Sequence, residues 1–191
     1  MIIYRKYYMQ KALIFLVFTL FSFNVNATEI TNNEFAKRIS KCVSSIYADA
    51  EQYPKHKQIP LELVIAQAAH ESAWGKSRFA VEGNALFGVR TWDENVPHIK
   101  AKGAPDAEWG VKTYRNWCDS VADYIRILNN HPAYEQFREE LDFQYKTLGK
   151  AEAITLVQYL EAWSEQGQQY IHLLQSIIQS LYQQDFFKNI K

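Results

Sequence analysis

Within the 191-residue chain, the carboxyl group best placed to do chemistry is Glu71, in the stretch LELVIAQAAHESAWG from Leu61 to Gly75. Pro60 suits the first turn of a helix. Leu61, Val64, Ile65, Ala68 and Ala69 then recur at helical spacing, so most of one face is expected to be buried. Gly75 is expected to supply the stop. Glu71 therefore falls in the last turn, where the negative end of the helix dipole opposes ionisation, and Trp74 follows closely enough to desolvate it further. Both effects raise the pKa of a carboxyl group. A carboxylic acid kept protonated near neutral pH can hand its proton to a leaving oxygen, which is what cleavage of a glycosidic bond asks of a general acid. The plain alternative is a solvated glutamate on a helix surface, the ordinary fate of the residue type.

An acid of that kind needs company: a base that activates water, a carboxylate nucleophile, or the substrate's own acetamido group. Asp93, Glu94, Asp106 and Glu108 are the acids available nearby. By type, each is equally a solvated loop residue. A sugar ring also offers an apolar face that stacks on aromatic rings. Trp92, Trp109 and Trp117 fall close together, with Phe87 and Tyr114 beside them. Burial is the commoner fate of such rings, so only Trp92 and Phe87 are expected to line a groove, bordered by Trp74, with the Asn84 amide offered to a sugar hydroxyl or N-acetyl group.

Other chemistries find little support. His70 and Glu71 begin an H-E-x-x-H pattern, but Trp74 stands where the second histidine belongs. The five histidines, His56, His70, His98, His131 and His172, lack metal-ligand spacing, so no metal is expected. His70 reads as a helix-surface residue or one that supports the acid. No phosphate-binding glycine loop or dinucleotide fingerprint occurs, and neither nucleotide nor cofactor is implied.

The elements that must position Glu71 are mostly helical. Thr31 with Glu34 makes a capping-box pattern, followed by Phe35, Ile39, Cys42, Val43 and Ile46 at helical spacing to about Ala50. Tyr53 to Pro60 reads as a connector, and Ser77 as the cap of a short helix from Arg78 to Glu82 ended by Gly83. Between Asn84 and Arg115 the helical period disappears. Val96 to Lys102 and Trp109 to Tyr114 read as a hairpin turning at Gly103 to Asp106, a natural groove wall. Helices are expected again from Asp119 to about Asn130, from Ala133 to Leu141, from Lys150 to Trp163 and from Gln168 to Tyr182. The expected class is an α-rich, α+β domain with one small β-hairpin excursion.

At 48% hydrophobic and 15% aromatic, the composition supports one domain with a real core. Arg5, Lys6 and Lys11 precede the apolar run Ala12 to Phe23, and Val25, Asn26 and Ala27 resemble a cleavage site. Residues 1–27 read as a secretory signal peptide and residues 28–191 as the domain, exported to the periplasm or beyond, with a retained anchor as the alternative. Without those three cations the net charge is about −3, which offers no basic field to nucleic acid. Cys42 and Cys118 would meet an oxidising compartment and could pair there, although Cys42 on an apolar helix face is equally well explained as a small buried thiol.

The runs AQAAHESAWGKSRFA and NALFGV, with the tail that follows, resemble the bacterial glucosaminidases of glycoside hydrolase family 73, most of all the Bax-type members. The likeness extends from about Ile59 to Tyr182. It implies a lysozyme-like fold and hydrolysis of the β-1,4 bond after N-acetylglucosamine in peptidoglycan glycan strands, by a monomer, with Glu71 as the acid. Family members often carry a second glutamate on the hairpin. Glu108 is the first choice for it here, and Glu94 the second as well as a substrate contact. The run WSEQGQQY falls where the family places a functional tyrosine, so the resemblance gives Tyr170 the task of orienting the N-acetyl arm; an ordinary half-buried helix tyrosine is the other reading. Two alternatives to the hydrolase stand. A lytic transglycosylase needs one glutamate but usually carries a G-L-M-Q run, which is missing here. A wall-binding module without turnover would keep the groove and lose the chemistry.

Overall fold

The computed structural model describes residues 30–190; the proposed signal peptide lies outside them. Helix α1 (Asn32–Tyr47) begins where expected, with Thr31 Oγ1 accepting from the Glu34 amide. The Glu34 side chain pairs with Arg38 at 3.1 Å. Phe35, Ala36, Ile39, Cys42 and Val43 form its buried stripe.

Helix α2 (Leu61–Ser72) is buried from Leu63 to Ala69 on every side. The sequence pattern suggested a single buried face. Burial all round instead makes α2 the central helix of the domain, as expected of a helix with almost no polar side. It also stops earlier than expected. Ala73 and Trp74 already take left-handed backbone, with φ of 50° and 59°, ahead of Gly75 at 80°. The Ser72 hydroxyl organises this reversal, donating to the Ala68 carbonyl at 2.6 Å and accepting from the Gly75 amide at 2.8 Å. The chain thus turns away directly after Glu71.

Helix α3 (Arg78–Gly83) is capped by Ser77, whose Oγ accepts from the Ala80 amide. It runs one residue further than expected, and Asn84 closes it in left-handed backbone. The β excursion is a three-stranded antiparallel sheet ordered β1 (Arg90–Thr91), β3 (Gly110–Lys112), β2 (His98–Ile99). The hairpin between β2 and β3 is as expected but shorter, pairing His98 with Lys112 and Ile99 with Val111. Strand β1, unforeseen because two residues carry no period, pairs Arg90 with Val111.

Helix α4 (Trp117–Asn130) starts two residues before the expected point because Asn116 caps it, accepting from the Asp119 amide. After a 3-10 turn at Pro132–Tyr134, helix α5 (Glu135–Leu148) continues well past Leu141 to Gly149. The expected helix from Lys150 to Trp163 is broken into α6 (Ala153–Leu156) and two 3-10 turns, Val157–Tyr159 and Glu161–Trp163. Ala153, Leu156, Val157 and Leu160 are all buried, so the apolar spacing of a helix survives while the β-branched run Ile154, Thr155 and Val157 weakens the helix itself. Helix α7 (Gln168–Gln183) follows Gly167, which adopts φ 53° and ψ −123°.

Cys42 and Cys118 form a disulfide, their Cα atoms 4.9 Å apart, that ties α1 to the start of α4 across 76 positions. The pairing left open by the sequence is settled by the packing of those two helices.

Candidate active site

Glu71 sits at the end of α2 with its carboxyl partly buried and its Oε1 accepting a hydrogen bond from the Tyr170 hydroxyl at 2.7 Å. Tyr170, on the first turn of α7, is 1% exposed. The Trp163 indole, from the 3-10 turn after α6, also lies near enough to act on the Glu71 carboxyl. Desolvation pushes the Glu71 carboxyl above its ordinary range, while the donors Tyr170 and Trp163 and the neighbouring His70 pull it back down. Burial outweighs them, and the net shift is upward. The Tyr170 hydroxyl is itself driven far up by burial and by the facing carboxylate, and stays a phenol.

Trp74 has partners of its own. After the reversal at Ala73 its indole packs edge-on against Phe35 and Phe186, at 5.8 Å from each ring. It lines a separate cavity of about 560 Å³ together with His70, Ile177, Leu181 and Phe186, to which Glu71 does not contribute. Trp74 follows the left-handed Ala73 away from the end of α2, and the aromatic groups that act on the acid are Tyr170 and Trp163, distant in sequence.

Behind the acid lies a buried polar chain. Tyr124 of α4, fully enclosed, donates from its hydroxyl to Gln67 Oε1 at 2.6 Å, and the Gln67 amide lies against the Tyr170 hydroxyl. Gln67 Nε2 meets no acceptor in good geometry. Leaving such a group unsatisfied in a dry interior costs about 1–3 kcal/mol. The sequence carried a signal for this position, a lone amide inside the apolar run Leu63 to Ala69.

Several expected groove residues are elsewhere. Phe87 is 2% exposed, stacked on Tyr124 with centroids 4.1 Å apart and planes 10° apart. Its ring is core, because the turn after α3 drives Leu86 and Phe87 inward together. Asn84 spends its amide on the Tyr114 and Arg115 carbonyls at 3.0 and 3.3 Å, which pins α3 to the chain beyond β3. Tyr170 spends its one hydroxyl proton on Glu71, which leaves only its oxygen lone pairs to an N-acetyl arm. Trp92, in the loop after β1, is 64% exposed and leaves its indole face open. Glu94 and Glu108 are exposed on the β excursion. The side chains that act most on Glu71 are Tyr170, His70 and Trp163.

Two residues that sequence reasoning passed over link the excursion to the acid's surroundings. The Arg90 guanidinium lies 4.2 Å from the centre of the Trp109 ring and pairs with Glu165 at 3.3 Å, two residues beyond Trp163. Strand β1 is thereby drawn toward the turn that reaches Glu71.

A family model described as mannosyl-glycoprotein endo-beta-N-acetylglucosaminidase matches residues 47–183. The chain belongs to the glucosaminidase family. Glu71, Tyr170, Trp163 and Gln67 all fall inside the matched span. Protein bax of Escherichia coli (strain K12) is 31% identical over 121 residues, covering 63% of this chain and 42% of that protein. Peptidoglycan hydrolase FlgJ of Vibrio parahaemolyticus is 31% identical over 111 residues, 49% of this chain and 34% of that protein. The chain thus spans less than half the length of these curated relatives. Among solved structures, the C-terminally truncated glycoside hydrolase domain of Salmonella typhimurium FlgJ superposes with a TM-score of 0.54 at 22% identity, over 80% of this chain and 98% of that one. The α-rich fold with its small sheet is therefore the fold of that domain.

Proposed function

We propose that the protein is an exported glycoside hydrolase that cleaves the β-1,4 bond after N-acetylglucosamine in peptidoglycan, with Glu71 as general acid. The observation that carries this is the half-buried Glu71 carboxyl held on one oxygen by Tyr170 and kept toward its acid form by burial. The proton for the leaving group is assigned to its other oxygen. Family membership and the similarity to a peptidoglycan hydrolase supply the substrate class. The disulfide supports export, since such bonds persist in oxidising compartments.

Cleavage then proceeds by protonation of the glycosidic oxygen from Glu71, with charge building on the sugar ring. The groups that act most on Glu71 are an aromatic hydroxyl, an indole and His70. We assign the role of internal nucleophile to the substrate's own acetamido oxygen, which displaces the leaving group at the anomeric carbon as Glu71 protonates it, and water then opens the cyclic intermediate to the reducing sugar. Trp92 offers a stacking face for the glycan strand, and Glu94 and Glu108 stay on the rim as polar contacts.

Incubation with purified sacculi, followed by mass spectrometry of the soluble products, tests the bond and the chemistry together. Muropeptides with reducing N-acetylglucosamine ends are expected. Anhydromuramic ends would replace the hydrolase by a lytic transglycosylase, and tight sacculus binding with no products would leave a binding module.

A further inference from the structure

The cavity of about 560 Å³ beside Trp74 has no part in the chemistry assigned to Glu71. Its volume falls within the span of small-molecule sites, roughly 300–1,000 Å³. One wall is apolar, built from Ile177, Leu181 and Phe186 and completed by the Trp74 indole. That indole is firmly set, with the Phe35 and Phe186 rings standing at 71° and 67° to it. Its backbone is left-handed at φ 59°, a conformation that a bulky residue keeps only where its surroundings impose it. The polar lining is Asn32, His70, Ser176, Ser180 and Gln184, all exposed. Gln184 Nε2 donates to Ser180 Oγ at 2.9 Å, which leaves the Gln184 amide oxygen to accept. Among the described lining residues, His70 is the one titratable group.

A rigid indole beside neutral amides and hydroxyls matches a sugar ring, whose C–H face stacks while its hydroxyls and N-acetyl arm hydrogen bond. The carboxylates of a peptide stem would instead call for arginine or lysine, and the lining holds neither. We propose that this cavity is a second glycan-binding site, which takes a neutral N-acetylated sugar unit stacked on Trp74 and hydrogen-bonded by Asn32, Ser180 and Gln184. For the identity of that glycan it rests on the reading of the protein as a peptidoglycan hydrolase. His70 joins the site to the acid, since it lines the cavity while its ring centre lies 5.8 Å from that of Tyr170, the hydrogen-bond donor to Glu71. Helix α7 carries both: Tyr170 meets the acid, and Ser176, the first of the cavity residues on it, follows about 9 Å further along the axis. Trp74, expected from the sequence to border the groove of the acid, thus serves the glycan from a neighbouring cavity. Strands held at both points stay close to Glu71, because the second contact forms at a high effective concentration.

The test is a titration of the full chain with the β-1,4 trimer of N-acetylglucosamine, followed by the indole N–H signals in nuclear magnetic resonance, with Trp74→Phe identifying the Trp74 signal. That signal should move saturably. In Ser180→Phe, which fills the cavity from an exposed position, it should stay still while the signal of Trp163 beside the acid still moves. A stationary Trp74 signal in the wild-type chain, an undiminished movement in Ser180→Phe, or movement with a free stem peptide in place of the sugar would overturn the site. Gln184→Ala should weaken binding about threefold to tenfold, the loss of one hydrogen bond. It decides the matter if Ser180→Phe does not fold, and an equal affinity would overturn the proposal. On sacculi, Ser180→Phe should raise KM about tenfold or more, with the loss falling on KM rather than on kcat; an unchanged KM would overturn the site's part in holding substrate. Should the wild-type chain release no muropeptides, the hydrolase reading fails while the trimer titration still decides the cavity.

Discussion

A carboxyl group that must keep its proton is a burden on the fold that holds it. In the folded chain Glu71 titrates above its ordinary value of 4.5, with burial as the chief cause. The folded state therefore binds this proton more tightly than the unfolded state does. The stability it contributes is fully present below about 4.5 and is lost as pH rises through the folded-state pKa. At neutral pH the wild-type chain carries the cost of a partly buried carboxylate. Glu71→Gln keeps an acceptor for Tyr170 and removes the charge, so its melting temperature at pH 7 should exceed that of wild type by roughly 2–4 °C, what about 1 kcal/mol is worth at this chain length. The gain should vanish near pH 4. Calorimetry at the two pH values checks this, and an equal or lower melting temperature at pH 7 would mean that the carboxylate is well solvated. Glu71 itself was legible in the sequence because its run of neighbours is distinctive. Tyr170 was legible as a position through WSEQGQQY, but its role was not, since nothing local says where a hydroxyl 99 positions away will point.

At the scale of elements, the turn that ends α2 matters as much as the helix. Three successive left-handed residues bring the chain back so sharply that Gly75 lies against Trp117 and Phe35. A Cβ on Gly75 would come within 2.7 Å of the Trp117 ring and 3.0 Å of Phe35, at φ 80°. Gly75→Ala should therefore cost about 2–4 kcal/mol from left-handed strain and overpacking combined. This would be read as a lower urea midpoint with an unchanged slope; a loss below about 0.5 kcal/mol would show that the turn relaxes freely. Sequence reasoning placed the stop at Gly75 because glycine is the usual left-handed residue. It missed the stop at Ser72 because a serine bridging Ala68 and Gly75 leaves no compositional mark. The same limit explains the broken segment before Trp163: helical and 3-10 turns share the spacing of Ala153, Leu156, Val157 and Leu160, so periodicity reads straight through. That segment then delivers Trp163 to the acid.

For the whole molecule, the central α2 packs between α1, α6 and α7, while α4 lies along α1 and is tied to it by the disulfide. Cross-linking across 76 positions removes loop-closure entropy from the unfolded chain worth about 4–5 kcal/mol. A Cys42→Ala, Cys118→Ala double variant should lose about that much on chemical denaturation while keeping its folded-state pH profile, because neither cysteine contacts Glu71 or Tyr170. A loss of under about 1 kcal/mol would place the bond's effect in the native state alone. The α-rich class and most helix positions were legible from hydrophobic spacing. Which side chains converge was not, because Gln67, Tyr124, Trp163 and Tyr170 meet only through the packing of four separate elements.

The most direct measurement compares turnover of sacculi by the wild-type chain and by Glu71→Gln, under conditions in which both are shown to be folded. Release of muropeptides should fall by at least about a hundredfold in the variant, the lower bound for loss of a positioned acid. Release at the wild-type rate would contradict the account, since the amide keeps the Tyr170 contact and the local shape and lacks only the proton.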